Sequence, residues 1–154
     1  MRRLIGITLL ALFAFTVFLY SQSSATRNSL MGAWKVAEIA DTNGAPITSP
    51  QPGLYIFTGK HYSFARINGT KPLPGYPSND KATDAEKVTV FNSLYLNTGT
   101  YTVTGNVLAT KAMVAKSAFA IGGAGNQYEF TVNGNALVLT QKPSGAVIKL
   151  MRME

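Results

Sequence analysis

The fold of this chain is decided by residues 98 to 151, where short segments of alternating apolar and polar residues are separated by Gly or Asn turns. They read TGTYTVTGNVLATKAMVAK from 98 to 116 and NQYEFTVNGNALVLTQKPSGAVIKLM from 126 to 151. Alternation with period two is typical of β-strands that bury one face. The turns are Gly105-Asn106, Asn133-Gly134-Asn135 and Ser144-Gly145. Such turns favour tight hairpins, so the pattern predicts five consecutive antiparallel strands.

Three more strands are predicted upstream. In the first, Trp34 and Val36 share one face because alternate residues point the same way. The three predicted strands are Leu30–Ile39, Gly53–Thr58 and His61–Asn68. Proline-rich loops at 41–53 and 69–79 lie beside them. Gly59-Lys60 forms a tight turn between the second and third strands.

One short helix is predicted within residues 80–94. Acidic residues stand near its start, where they favour a helix N-terminus, and Val88, Phe91 and Leu94 follow at helical spacing. The total is eight antiparallel strands, the number at which a barrel can just close around its own side chains or one small ligand. We therefore predict an all-β, up-and-down eight-stranded barrel with one short helix, and a sandwich is the alternative.

The first 25 residues have the three-part pattern of a secretory signal peptide. Arg2 and Arg3 precede an apolar run from Leu4 to Tyr20, and Ser23 and Ala25 give the small-x-small spacing of a cleavage site. We predict a signal peptide over 1–25, a barrel domain over 26–154 and a secreted or periplasmic location. The alternative is an uncleaved membrane anchor, because the apolar run is near the shortest length that spans a bilayer.

The size, charge and cysteine content of the chain exclude several classes of function. Cleavage would remove 25 of 154 residues and leave 129, enough for one domain, while loss of Arg2 and Arg3 lowers the net charge from +7 to +5. The basic residues are dispersed, whereas nucleic-acid binding favours a clustered basic patch, so no nucleic-acid partner is expected. The chain has no cysteine, so thiol chemistry is excluded.

Four segments together resemble the bacterial lipocalin-like domain family. They are LMGAWKV at 30–36, GLYIFTGKHYSF at 53–64, NTGTYTVTGN at 97–106 and FTVNGNALVL at 130–139, followed by Leu150-Met-Arg152. The resemblance covers nearly all of residues 29 to 153 and implies an eight-stranded calycin-type barrel. It also implies that Trp34 and Arg152 stack across the closed end, a structural closure rather than a ligand contact.

The residues that could suggest catalysis or phosphate binding have structural explanations that fit their positions better. His61 is the only histidine, and its place at a strand start after a turn favours solvation over base catalysis. Asp84 and Glu86 stand two apart at a helix start, so they point in different directions. Gly122 to Gly125 leads into a strand and predicts a loop at the barrel mouth rather than a phosphate site. We expect no enzyme, no metal site and no cofactor.

Aromatic residues on the predicted inward face provide the candidate binding site. Tyr62, Phe64, Tyr101 and Tyr128 would either fill the barrel or line a cavity in which hydroxyls orient a ligand. The leading hypothesis is an exported protein that binds a small hydrophobic or amphipathic molecule inside the barrel. The alternative is a filled barrel that contacts a protein or envelope component through its loops.

Cleavage of the signal peptide gives the first testable prediction. Protein recovered from the envelope or the medium should begin near Thr26, and mass spectrometry of the intact chain would measure this. Recovery of residues 1–25 still attached, in the membrane fraction, would contradict cleavage in favour of an anchor.

Overall fold

The computed structural model describes residues 28–73, 75–78 and 80–154, so the predicted signal peptide lies outside the described residues. Eight strands follow one another along the chain, with one helix before the fourth strand and a second before the sixth. The strands are β1 Gly32–Ala40, β2 Gly53–Phe57, β3 His61–Ile67, β4 Leu94–Thr104, β5 Val107–Ala115, β6 Asn126–Asn133, β7 Ala136–Lys142 and β8 Val147–Arg152. The helices are α1 Asp84–Ser93 and α2 Ala118–Gly122.

The eight strands form one closed antiparallel barrel. Each strand pairs with its successor, and β8 returns to pair with β1, where Arg152 stands opposite Trp34. This confirms the predicted up-and-down barrel and excludes the sandwich. The end of the barrel that carries Trp34 and Arg152 is the closed end, and the opposite end, near α2, is the mouth.

Because side chains alternate along each strand, every second side chain points into the barrel. Aromatic rings fill most of the interior. Tyr55 stacks on Phe64 with ring centroids 4.2 Å apart, and Phe57 meets Tyr101 edge to face at 5.5 Å. The core also contains Leu30, Trp34, Tyr62, Leu108, Tyr128, Phe130, Leu137, Leu139, Ile148 and Leu150. Offset and edge-to-face contacts of this kind add to the stabilisation from apolar burial.

At the closed end, Trp34 and Arg152 form a contact that we call the closure pair. The Arg152 guanidinium carbon lies 4.0 Å from the centroid of the Trp34 ring system. Arg152 also donates to the carbonyl oxygens of Ser29 and Met31, each at 2.7 Å. The fully buried Trp34 donates from Nε1 to the carbonyl of Leu30 at 2.8 Å. The closure pair thus ties β8 to the segment that leads into β1.

The helices differ from the prediction in two respects. Val88 and Phe91, whose spacing predicts a helix, do lie in α1. Both residues remain more than half exposed, because the core lies inside the barrel and not against this helix. β4 then begins directly at Leu94. A second helix, α2, which the sequence pattern did not predict, precedes the predicted loop and ends at its first glycine, Gly122. Among the described residues no helix is long and apolar enough to cross a membrane.

Truncation of the closure pair should destabilise the barrel. Trp34→Ala is expected to lower the free energy of unfolding by about 3 to 5 kcal/mol, the usual cost of truncating a large buried aromatic residue. Arg152→Ala should cost less, about 1 to 3 kcal/mol, because its hydrogen bonds are partly exposed. Denaturant unfolding would measure both, with Lys60→Ala in the exposed β2–β3 turn as control. Variants as stable as the parent would disprove the role in closure.

Candidate functional site

A cavity of about 300 Å³ lies at the barrel mouth, between the inward faces of three strands and α2. Strands β3, β4 and β5 contribute Tyr62, Asn97, Thr110 and Ala112. The cover consists of Phe119, Ala120, Gly123, Ala124, Gly125 and Asn126. The cavity therefore has a polar floor of strand residues and a largely apolar cover.

Two glycines allow the cover and β4 to approach β5 closely. Gly125 has a φ of +82°, and a Cβ there would lie 1.8 Å from the Thr110 carbonyl oxygen. A Cβ on Gly99, at a bulge in β4, would lie 2.0 Å from the Lys111 carbonyl oxygen. Because only glycine fits in such contacts, these positions fix the distance between the cavity's walls.

The floor of the cavity carries a short hydrogen-bond network. The Tyr62 hydroxyl donates to Asn97 Oδ1 at 2.5 Å, and Thr110 Oγ1 donates to the Asn126 carbonyl at 3.2 Å. Burial raises the pKa of Tyr62, and its hydrogen bond with Thr110 opposes that shift only in part. The phenol is therefore a protonated hydrogen-bond donor at neutral pH.

Buried polar side chains are concentrated at this cavity. Within the part of the chain that the structure describes, the buried polar residues are Asn97 and Thr110, each 4% exposed. Burial of a polar group is unfavourable unless partners satisfy it. Both residues line the same cavity, so the buried amide and threonine hydroxyl lie together at the mouth.

A smaller cavity of about 130 Å³ adjoins the first and shares Asn97 and Ala120 with it. Lys116 lines the smaller cavity and donates to the Phe91 carbonyl at 3.0 Å. Its ammonium group also lies 4.9 Å from the centroid of the Phe91 ring. Lys116 thereby holds the end of α1 against the mouth.

The four aromatic residues predicted to line a ligand cavity occupy two different environments. Tyr62 lines the mouth cavity. Phe64 and Tyr128 pack in the core with ring centroids 6.3 Å apart, and Tyr101 donates to the Thr58 carbonyl at 2.6 Å. None of these three lines either mouth cavity. Their role as ligand contacts stays a prediction.

Sequence reasoning missed the two polar residues of the floor. Thr110 shares its face with Leu108 and Ala112, so strand alternation alone places it inside the barrel. Asn97 fell just before the predicted start of its strand, because the segment was expected to begin at Thr98. The alternation in β5 is enough to identify Thr110 as an inward residue. Asn97 can be assigned to the inward face only when β4 is known to begin at Leu94.

The other candidate groups occupy the places expected of them. His61 is exposed at the start of β3. Glu86 accepts from the Thr83 backbone N–H at 2.7 Å, and this hydrogen bond lowers the pKa of the carboxyl group as part of a helix cap. Over the described residues, no group of three or more His, Cys, Asp or Glu side chains could hold a metal ion.

Comparison with known proteins gives one informative match. No protein-family model matches the chain, and no curated protein does. A solved structure of a lipocalin-like protein from Bacteroides uniformis matches with a TM-score of 0.50 at 11% identity, covering 81% of this chain and 99% of that one. This chain has a lipocalin-like fold. At that identity the similarity concerns the fold alone.

Inside the lipocalin-like barrel, buried tyrosines form a cluster beneath the mouth. Burial strongly raises the pKa of Tyr128, and the neighbouring hydroxyl of Tyr95 raises it further. Burial also raises the pKa of Tyr55, while the positive charge of Arg66 partly opposes the shift. These phenols remain neutral at any pH at which an exposed tyrosine is neutral.

The raised tyrosine pKa values predict a stability loss in alkali. An unfolded tyrosine ionises near pH 10, so a group with a higher folded pKa stabilises fully below that pH and progressively less above it. The free energy of unfolding of the lipocalin-like barrel should therefore fall as pH rises above about 10. Chemical denaturation across this range would measure it.

Tyr128→Phe should reduce the alkaline loss, because it removes one of the groups that ionise on unfolding. Tyr76→Phe is the control, since Tyr76 belongs to the loop before α1 rather than to the core. An unfolding free energy that does not change with pH in this range, or an equal effect of both substitutions, would contradict the assignment.

Proposed function

We propose that this protein binds a small amphipathic molecule at the mouth of its barrel. Tyr62, Asn97 and Thr110 orient the polar part of the ligand, and Ala112 with the α2 cover contacts the apolar part. Binding rests on burial of apolar surface with one or two hydrogen bonds for orientation, and it involves no covalent step. The protein is thus a binding protein rather than an enzyme, as is usual for lipocalin-like folds.

The observation that carries the proposal is the convergence of Asn97 and Thr110 on one cavity. Ligand sites are typically concave and mostly apolar, with a few polar groups placed to fix orientation. Here the two buried polar side chains meet the Tyr62 hydroxyl at the same floor. A barrel that needed only stability would be better filled there with apolar residues.

Cavity size limits the ligand. Typical ligand sites measure roughly 300 to 1,000 Å³. The mouth cavity, at about 300 Å³, is at the lower end, and the adjoining cavity adds about 130 Å³. Rings from Phe64 and Tyr128 occupy the space below. The ligand is therefore small and sits at the mouth rather than deep in the barrel.

The residues of the α2 cover are exposed to solvent, and this exposure supports the proposal of ligand binding. None of its residues is buried, and Phe119 is 90% exposed. A helix of five residues with so little packing has low local stability. A ligand that contacts Phe119 and Ala120 would give these side chains the apolar contacts that they lack.

Export is part of the proposal. Arg2 and Arg3, the apolar run and Ser23 with Ala25 favour a signal peptide, so the ligand would be met in the periplasm or outside the cell.

A blocked cavity tests the site. Ala120→Trp should lower the affinity for the neutral probe N-phenyl-1-naphthylamine at least tenfold, because the new ring occupies the space between cover and floor. Fluorescence titration would measure this. Thr131→Trp is the matched control, since it adds the same side chain to an exposed position on β6.

Two results would overturn the mouth site. One is equal probe affinity in Ala120→Trp and the parent, and the other is no probe binding by the parent. The function would then be sought in the loops at 41–53 and 69–79, as the interaction-module alternative predicts.

A further inference from the structure

Arg66 is an inward-facing cation near the open end of the barrel. It follows Tyr62 and Phe64 at alternate positions of β3, and both of these aromatic residues are buried in the core. Because residues two apart share one face of a strand, the Arg66 side chain also points into the barrel. β3 runs away from the closed end, so Arg66 lies one inward position nearer to the mouth than Phe64.

The contacts of Arg66 agree with this inward direction. Its guanidinium carbon lies 4.9 Å from the ring centroid of Tyr95, a residue that packs against the core. Burial raises the pKa of Tyr55, and the positive charge of Arg66 opposes that rise. On β2, a Cβ at Gly53 would lie 2.8 Å from Arg66 Cβ and 2.5 Å from Val36 Cγ2. The half-buried cation therefore lies among core residues.

No acidic residue compensates the charge of Arg66 inside the barrel. Of the seven acidic residues in the chain, the two on strands are Glu38 and Glu129. Both point outward and pair with Lys149 and Lys142. The others lie in loops, in α1 or at the chain end. Within the described ranges Arg66 forms no ion pair, and its buried Nε has no hydrogen-bond partner.

A cation in such a position is unfavourable unless a partner neutralises it. Stacking on Tyr95 offsets part of this cost and fixes the plane of the guanidinium. It also leaves free the edge of that plane, which carries the N–H donors. A carboxylate can accept two of these donors at once. The side chain of Arg66 is thus oriented and only partly satisfied.

Tyr95 connects Arg66 to the mouth site. Tyr95 and Asn97 stand two apart on the inward face of β4, and both line the smaller cavity at the mouth. Asn97 also belongs to the floor of the larger mouth cavity. The Tyr95 hydroxyl is hydrogen-bonded to that of Tyr128. The cation, the phenols and the polar floor therefore border one region of the barrel.

We infer that the ligand of the mouth site is a small amphipathic carboxylate and that Arg66 binds its carboxylate group. Tyr95 positions the guanidinium, and the apolar part of the ligand occupies the mouth cavity beneath Phe119 and Ala120. Charge selects this class of ligand, because a neutral molecule leaves Arg66 unpaired and a cationic one is repelled. The inference rests on the proposed mouth site and specifies what that site binds.

Displacement of N-phenyl-1-naphthylamine from the parent protein tests the inference. The competitors are octanoate and 1-octanol, which have equal chain length and differ in charge. Octanoate should displace the probe at an about tenfold lower concentration, since only octanoate gains a charged hydrogen bond with Arg66. Loss of probe fluorescence measures both competitors. This comparison uses the parent alone and does not depend on the folding of any variant.

Arg66→Gln should remove most of the preference for octanoate over 1-octanol, because glutamine keeps a polar side chain but has no charge. Lys111→Gln is the matched control. Lys111 stands between the inward residues Thr110 and Ala112 on β5, so it is exposed on the outer face. Loss of that positive charge should leave the preference unchanged.

Two results would overturn the inference while leaving the mouth site in place. One is equal displacement of the bound probe by octanoate and 1-octanol, and the other is an equal loss of preference in Arg66→Gln and Lys111→Gln. A parent that binds no naphthylamine would overturn the mouth site itself and the inference with it. The two failures are therefore distinguishable.

Discussion

The limited interior of an eight-stranded barrel is the constraint on which the rest of this structure depends. Such a barrel holds its own side chains or one small ligand, and here large rings take most of the space. Stacking of Tyr55 on Phe64 and the edge contact of Phe57 with Tyr101 fill the centre. Trp34 fills the closed end. We therefore expect function at the mouth or on the outer surface, and both places carry a concavity.

The two concavities differ in how their polar groups are presented. In the mouth cavity the polar groups are neutral, buried and bonded to one another, as Tyr62 and Asn97 illustrate. On the outer surface, a concavity lined by Lys35, Leu54 and Leu94 instead carries an exposed ammonium group, that of Lys35. A neutral network favours ligands that exchange one hydrogen bond for another, whereas an unpaired cation favours ligands that bring a negative charge. One small barrel thus has two concavities whose polar groups differ in charge and burial.

Much of the fold could be predicted from the sequence because period-two alternation and glycine turns act locally. Eight strands, their antiparallel order and the stacking of Arg152 on Trp34 all appear in the structure. The candidate site was harder to predict from the sequence. Alternation identifies the residues that point inward, but it does not show whether their side chains contact other aromatic rings or line a cavity. Tyr62 and Tyr128 have the same inward pattern, yet only Tyr62 reaches the mouth cavity. The outer concavity lined by Lys35, Leu54 and Leu94 depends on residues from four strands and the chain end meeting in space, which no local sequence pattern indicates.

The barrel is closed by the pairing of β1 with β8, two strands that are far apart in sequence. We call this strand pair the seam. Every other strand pairs with its successor, whereas Arg152 binds the Met31 carbonyl 121 positions away. Joining distant segments has a larger chain-entropy cost than closing a hairpin, so we expect the seam to form late in folding. Interactions that form after the transition state mainly govern the unfolding rate. We therefore expect the closure pair to govern how long the native barrel persists, and the local hairpins to govern how quickly it forms.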